Sequence, residues 1–128
     1  MPRILLLDDD EPLRRALRLS LQKAGYEVVE PASGLHGLMV AAQAADLIVT
    51  DMVMPGIEGV ETIRTLRQLR PQLPIIAISG GGRGSALSYL QIATLLGASA
   101  TLEKPFEPSD LCAAIARLLE PDRTMPPA

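Results

Sequence analysis

Short aliphatic runs alternate with longer amphipathic stretches along the chain, and this alternation limits the possible fold more than any other feature of the sequence. A short apolar run bounded by small or polar residues is typical of a buried strand. The sequence predicts five such strands, at residues 3–7, 26–30, 47–50, 75–78 and 99–102. The first, third and fourth runs are almost wholly aliphatic, as expected of parallel strands that helices cover on both faces.

The stretches between these runs follow the period of an α-helix. Leu13, Leu17 and Leu21 form one apolar stripe, while Pro12 suits the first turn of a helix and Gly25 suits its C-terminal stop. The same reasoning predicts helices over residues 12–24, 34–44, 58–70, 85–96 and 109–119.

Five strand–helix units predict an α/β fold of the (βα)5 type. A closed barrel needs about eight units, so we expect an open, doubly wound, flavodoxin-like parallel sheet with strand order 2-1-3-4-5. In such a sheet the site lies at the carboxyl ends of the strands, where the order reverses between strands one and three. A chain of 128 residues is the usual size of one domain. We expect the domain to cover residues 1–120 and a short extended tail to cover residues 121–128.

The composition argues against several classes of function. A net charge of −3, with two tyrosines, one phenylalanine and no tryptophan, offers neither a basic field for phosphate backbones nor rings for stacking bases. Direct nucleic-acid binding is therefore not expected. No run approaches the roughly eighteen apolar residues of a membrane span, and the single cysteine, Cys112, cannot form an internal disulfide. We expect a cytoplasmic protein without membrane insertion.

Polar side chains follow four of the predicted strands, at the point where each strand ends. Asp8 and Asp9 follow the first strand, Asp51 the third and Ser79 the fourth, and Lys104 comes shortly after the fifth. Because the carboxyl ends of parallel strands meet at one edge of a sheet, these side chains should converge.

Carboxylates a few Å apart cannot all stay ionised unless a cation joins them. Mg²⁺ prefers oxygen ligands and keeps several waters, so two carboxylates and a backbone carbonyl would suffice to hold it. A cation, the ammonium of Lys104 and the hydroxyl of Ser79 around one carboxylate form a site that can receive a phosphoryl group. In that site Asp51 would be the nucleophile.

The segments that carry these residues resemble the receiver domain of bacterial two-component response regulators, over residues 2–119. ILLLDDDEPLRR resembles the family's first strand with its acidic pair, and LIVTDMVMPGIEG resembles its phosphoacceptor segment. IIAISG resembles the segment with the switch serine or threonine, and TLEKPF resembles the segment with the family's lysine and proline. Each motif alone is weak, but the four in this order are specific together.

The resemblance implies a role for each matched residue. Asp51 would be the phosphorylated residue. Asp9 and Asp51 would bind Mg²⁺ directly with the backbone carbonyl of Val53, and Asp8 would act mainly through water. Ser79 would move to hydrogen-bond the phosphoryl oxygens and draw the following loop inward.

Two further positions concern Lys104 and the switch. In the family the peptide bond before the proline that matches Pro105 is usually cis, which would aim Lys104 into the site. The family often has an aromatic switch residue three positions before the lysine, but Thr101 stands there in this chain. Threonine has no ring that could become buried when Ser79 moves, so we expect the output face to switch in a different way from that of family members with the aromatic residue.

The resemblance also implies partners. A sensor histidine kinase or a histidine phosphotransfer protein would supply the phosphoryl group, and a single-domain receiver would pass its signal on by binding. The expected output face comprises the fourth predicted helix, the fifth strand and the fifth helix. In the fourth helix, apolar residues occupy more than one face, which leaves some of them for a downstream target protein or for the second copy of a homodimer: Leu87, Leu90, Ile92, Leu95 and Leu96.

Two other functions have to be weighed against this interpretation. A receiver-like interaction module that is never phosphorylated would have no need of the acidic pair with Ser79 and Lys104. A small phosphatase or phosphotransferase that acts on small molecules through an aspartyl-phosphate would need a general acid and a substrate pocket, and Val53 and Gly81 offer little of either. We expect no enzymatic activity beyond the chain's own phosphorylation and slow dephosphorylation.

The residues at two positions, one after the acceptor and one after Ser79, indicate that the phosphoryl group is lost slowly. Val53 stands two residues after Asp51, Gly81 stands two residues after Ser79, and neither side chain can hydrogen-bond an attacking water. The purified phosphorylated protein should therefore keep its phosphoryl group far longer than seconds in the absence of a partner. Intact mass followed after removal of the phosphodonor measures this lifetime, and loss within seconds would contradict the prediction.

Overall fold

A five-stranded parallel sheet with helices on both faces organises the chain. The computed structural model describes residues 1–31, 35–54, 57–80, 91 and 93–119. In chain order the helices and strands are β1 (Arg3–Leu7), α1 (Glu11–Lys23), β2 (Glu27–Val29), α2 (Leu35–Ala42), β3 (Leu47–Asp51), β4 (Val53–Met54), β5 (Ile57–Glu58), α3 (Gly59–Leu69), β6 (Ile75–Ser79), β7 (Ala100–Glu103) and α4 (Pro108–Leu119).

The order of strands in the main sheet is β2-β1-β3-β6-β7, and every neighbouring pair is parallel. This order confirms the predicted doubly wound, flavodoxin-like topology. All five strands therefore present their carboxyl ends at the same edge, which we call the carboxyl edge. Strands β1 and β3 lie side by side at the centre of the sheet, and the chain order reverses between them.

The core forms two layers, one on each face of the sheet. Successive residues of a strand point to opposite faces, so Ile4 and Leu6 of β1 lie in one layer and Leu5 and Leu7 in the other. Helices α1 and α4 cover the first layer through Leu17, Leu21, Leu111 and Ile115. Helices α2 and α3 cover the second layer through Leu38, Ile63 and Leu66.

Helix α1 begins and ends where the sequence predicts, for identifiable local reasons. The Asp10 side chain caps the helix by accepting a hydrogen bond from the Leu13 N–H at 3.1 Å. At the other end Gly25 has a φ of 100°, a conformation that glycine adopts without a Cβ penalty. The Asp10 cap thereby fixes the end of the turn from β1 into α1, which carries Asp8 and Asp9.

The predicted boundaries agree with the structure to within two residues, except that part of the fourth predicted helix is not described. Of that helix, 85–96, the described residues 91 and 93–95 are helical. The predicted tail 121–128 lies outside the described residues, so the domain boundary stays a prediction. Across the part of the chain that the structure describes, no helix has the length and apolarity needed to cross a membrane.

The sequence does not predict the two-stranded antiparallel hairpin that follows Asp51. In this hairpin Val53 pairs with Glu58 and Met54 pairs with Ile57. Strands of two residues are too short to show an alternating apolar pattern. The hairpin links the carboxyl end of β3 to α3.

Leu17 and Leu19 test how the two faces of α1 contribute to stability. Leu17 is fully buried, whereas Leu19 is 52% exposed. Leu17→Ala should lower the free energy of unfolding by about 2–5 kcal/mol, because it leaves a cavity in the core. Leu19→Ala should change it by no more than about 0.5 kcal/mol. Urea denaturation measures both values, and equal losses in the two variants would refute the assignment of faces.

Candidate functional site

Three carboxylates meet at the carboxyl edge, where β1 and β3 end. Leu7 of β1 lies opposite Thr50 of β3, so the next residues, Asp8 and Asp51, lie side by side. One carboxylate oxygen from each of Asp8, Asp9 and Asp51 lies within 4.8 Å of the others. Asp8 and Asp51 are buried and Asp9 is exposed. The predicted cluster of acidic side chains is therefore present in the structure.

Lys104 supplies a positive charge to this cluster. Its Nζ lies 3.1 Å from Asp51 Oδ2, to which it donates a hydrogen bond, and 3.2 Å from Asp8 Oδ2. The lysine side chain is only 22% exposed, so these two ion pairs are partly shielded from water. One ammonium group thus bridges the ends of the two central strands.

The main chain around Lys104 brings its side chain close to β6. The Lys104 N–H donates to the Ser79 carbonyl at 2.8 Å, and the Lys104–Pro105 bond is cis, as the family resemblance implies. A Cβ atom on Gly80 would collide with the Cβ of Lys104. The absence of a side chain at Gly80 therefore permits this close approach.

Burial raises the pKa of the Asp8 carboxyl above its usual value, and the charge of Asp51 raises it further. The hydrogen bond from the Asp10 N–H, 2.9 Å from Asp8 Oδ1, and the charge of Lys104 oppose this rise without cancelling it. An ionised Asp8 is therefore costly to the folded protein. A cation bound among the carboxylates would relieve that cost.

The pKa of Lys104 responds to the same neighbours in the opposite sense. Burial lowers the pKa of this ammonium, but the hydrogen bond to Asp51 and the charges of Asp51 and Asp8 outweigh burial, and the net pKa is raised. Lys104 is consequently protonated at neutral pH. It can neutralise negative charge on a group that joins the cluster.

The three remaining predicted site residues, Ser79, Val53 and Thr101, lie in β6, β4 and β7. Ser79 ends β6, and its buried Oγ has no hydrogen-bond partner among the described residues. Val53 begins β4, two residues beyond Asp51. Thr101 is half-buried in β7 opposite Ala77, two positions below the end of the sheet that Ser79 occupies.

One contact to the site was not among the sequence-based expectations. Arg14 lies in the first turn of α1, and its Nη1 donates to the main-chain carbonyl of Asp8 at 2.7 Å. The helical periodicity only shows that this arginine is off the apolar face. The usable signal is its position one turn after the N-cap, beside the acidic turn.

The family comparison agrees with this geometry. The sequence model of the response regulator receiver domain matches residues 4–116. The chain belongs to the response regulator receiver domain family. Membership of the family implies a role in two-component signalling. Receiver domains are typically not enzymes in the ordinary sense, and the acidic pocket with Lys104 is consistent with a phosphoacceptor.

Curated relatives of this receiver domain are longer regulators. The transcriptional regulatory protein AfsQ1 of Streptomyces coelicolor is 46% identical over 80 residues, which are 62% of this chain and 35% of AfsQ1. The response regulator MprA of Mycobacterium tuberculosis is 37% identical over 125 residues, which are 97% of this chain and 52% of MprA. The chain thus spans about a third to a half of these relatives.

A solved structure matches this receiver domain over almost its full length. The receiver domain protein from Clostridium thermocellum has a TM-score of 0.84 and 27% sequence identity, and the match covers 96% of this chain and 98% of that one. The similarity of fold therefore extends over almost the whole of both chains.

Asp8→Asn tests the electrostatic cost of the acidic cluster. A carboxyl whose pKa is raised by folding destabilises the protein above that raised pKa and costs nothing below the unfolded value of 3.8. In EDTA near neutral pH the variant should therefore have a higher free energy of unfolding than the wild type. Each unit of raised pKa corresponds to about 1.4 kcal/mol. The difference should shrink as the pH falls towards 3.8.

Urea denaturation of both proteins across this pH range measures the effect. Addition of Mg²⁺ serves as the internal control, because it should stabilise the wild type more than Asp8→Asn. A variant that is less stable than the wild type in EDTA near neutral pH would show that an ionised Asp8 is not costly.

Proposed function

We propose that this receiver domain takes a phosphoryl group onto Asp51 from a phosphohistidine on a sensor histidine kinase or a histidine phosphotransfer protein. The observation that carries the proposal is the position of the Asp51 carboxylate. It lies at the centre of the carboxyl edge, with two other carboxylates within 4.8 Å and Lys104 Nζ at 3.1 Å. A cation site and a fixed ammonium beside the carboxylate favour phosphoryl transfer, because both neutralise charge on the phosphoryl oxygens.

The donor set fits Mg²⁺. Oxygen ligands from Asp9 and Asp51, with the Val53 carbonyl and waters, would complete a coordination shell of the kind that Mg²⁺ prefers, and Asp8 would act through water. When bound, Mg²⁺ would neutralise charge on the phosphoryl oxygens. The raised pKa of Asp8 supports a cation at this place, since burial and the charge of Asp51 both make its ionised form unfavourable without one.

The transfer requires little covalent chemistry from the protein. A carboxylate oxygen of Asp51 would form a bond to phosphorus as the bond from phosphorus to the imidazole nitrogen breaks, and the electron pair of that bond would stay with the histidine. Lys104, which pairs with the Asp51 carboxylate before transfer, would then neutralise the negative charge that the phosphoryl oxygens bring. Its raised pKa keeps it protonated for this role.

Ser79 is the proposed sensor of the phosphoryl group. Its buried hydroxyl lacks a partner among the described residues, and a buried hydroxyl without a hydrogen bond is costly. A phosphoryl oxygen on Asp51 would offer it an acceptor. Thr101 would then replace the family's aromatic switch residue, and the response of β7 to a movement of Ser79 would involve no ring rotation.

The proposed output face comprises the fourth predicted helix, residues 85–96, together with β7 and α4. Within its described part, Leu95 is 87% exposed, which supports a surface that a partner covers. Leu87, Leu90 and Ile92 lie outside the described residues. The proposed occupants are a downstream target protein or a second copy of the chain.

Chemical phosphorylation tests the proposal without knowledge of the kinase. The wild type, incubated with acetyl phosphate and Mg²⁺, should gain the mass of one phosphoryl group, and it should gain much less in EDTA. Asp51→Asn should gain none, because an amide is not a competent nucleophile. Intact-mass spectrometry reads all of these samples.

Asp46→Asn is the matched control. Asp46 precedes β3 at the opposite edge of the sheet, where it accepts a hydrogen bond from the Arg3 N–H. This variant should be phosphorylated like the wild type. Equal adducts on Asp51→Asn and wild type, or no Mg²⁺-dependent adduct on the wild type, would refute the proposed function.

A further inference from the structure

Arg14 connects the acidic turn to the end of a neighbouring strand. Its Nη1 donates to the Asp8 carbonyl at 2.7 Å, and its Nε donates to Glu30 Oε1 at 3.1 Å. Glu30 directly follows β2, so the guanidinium spans from one strand end to the next. A planar group with donors in fixed directions can make both contacts at once, which a flexible ammonium does poorly.

These contacts hold Asp8, the residue that follows β1, at both its main chain and its side chain. The Asp8 carbonyl accepts from Arg14, Oδ1 accepts from the Asp10 N–H at 2.9 Å, and Oδ2 lies 3.2 Å from Lys104 Nζ. Arg14 also donates its own N–H to the Asp10 carbonyl at 2.8 Å. Rotation of the peptide after Asp8 would break the Arg14 contact and move the following residue, Asp9, relative to the cluster.

Glu30 sets the direction of the Arg14 side chain. Its Oε1 pairs with Arg14, and its Oε2 pairs with Arg18 Nη1 at 3.1 Å. These side chains are about a third exposed, and ion pairs at such positions contribute about 0–1 kcal/mol to stability. The arrangement is therefore better suited to orienting the guanidinium than to holding the fold together.

We infer that Arg14, oriented by Glu30, is a positioning residue for the cation site, on which it acts through the main-chain carbonyl of Asp8. This inference rests on the proposed Mg²⁺ site and extends it to a residue that touches neither the cation nor the phosphoryl group. Groups that orient metal ligands typically change metal affinity by about tenfold to a hundredfold when they are removed.

The direction of the change in cation affinity on replacing Arg14 distinguishes a positioning role from a simple effect of charge. Loss of a positive charge beside three carboxylates should by itself strengthen the binding of a divalent cation. Loss of the contact that holds the acidic turn should weaken it. A weaker affinity in the variant can therefore not arise from the change in charge alone.

The experiment measures Mn²⁺ binding by electron paramagnetic resonance, which reports free Mn²⁺, together with the free energy of unfolding in EDTA. The test variants are Arg14→Gln and Arg14→Lys. The lysine variant keeps the positive charge but lacks the planar guanidinium. Arg15→Gln is the charge control, since Arg15 is exposed on the same helix. Arg18→Gln is the control for the second ion pair of Glu30.

Arg14→Gln should bind Mn²⁺ about tenfold or more weakly than the wild type, and Arg14→Lys should also bind it more weakly. Both controls should bind it at least as tightly as the wild type. If Arg14→Gln folds and binds Mn²⁺ as tightly as the wild type or more tightly, the inference is overturned. If Arg14→Gln does not fold, the same result with Arg14→Lys overturns it. Failure of the wild type itself to bind Mn²⁺ would instead overturn the cation site and, with it, the role of Arg14.

Discussion

The repulsion among the carboxylates at the carboxyl edge is the constraint on which the rest of the site depends. Two of them, Asp8 and Asp51, are buried, and the pKa of Asp8 is raised by burial and by the charge of Asp51. Lys104 balances part of this charge by pairing with both at 3.1–3.2 Å. The folded domain thus retains an acidic cluster that a divalent cation would stabilise, which favours a binding role for the cluster over a structural one.

The topology explains why these groups meet. Asp8 and Asp51 are far apart in the sequence, but β1 and β3 pair in register, so these two residues at their carboxyl ends are adjacent. Lys104 follows β7, the outermost strand of the sheet, yet its side chain reaches both carboxylates. Its main chain is hydrogen-bonded to Ser79, and Gly80 leaves room beside it. The two apolar layers hold the strand ends, and the turns beyond them carry the chemistry.

Much of this arrangement could be predicted from the sequence, because strand ends in a parallel sheet lie together wherever the strands are recognised. The aliphatic run of β1 and the acids behind it locate half of the cluster, and Asp51 and Lys104 follow from the same rule. The hairpin after Asp51 could not be predicted, since its strands are too short for periodicity. The contact from Arg14 to the Asp8 carbonyl could not be predicted either, because a helical pattern shows only that a residue is off the apolar face.

The central claim is that Asp51 carries the phosphoryl group, and reductive labelling tests this claim most directly. Borohydride reduces an acyl phosphate to an alcohol, so it converts a phosphorylated aspartate to homoserine. After phosphorylation with acetyl phosphate and Mg²⁺, peptide mass mapping of the reduced protein should find homoserine at position 51 in place of Asp51. Homoserine at Asp8, Asp9 or any other aspartate instead, or at none, would contradict the account.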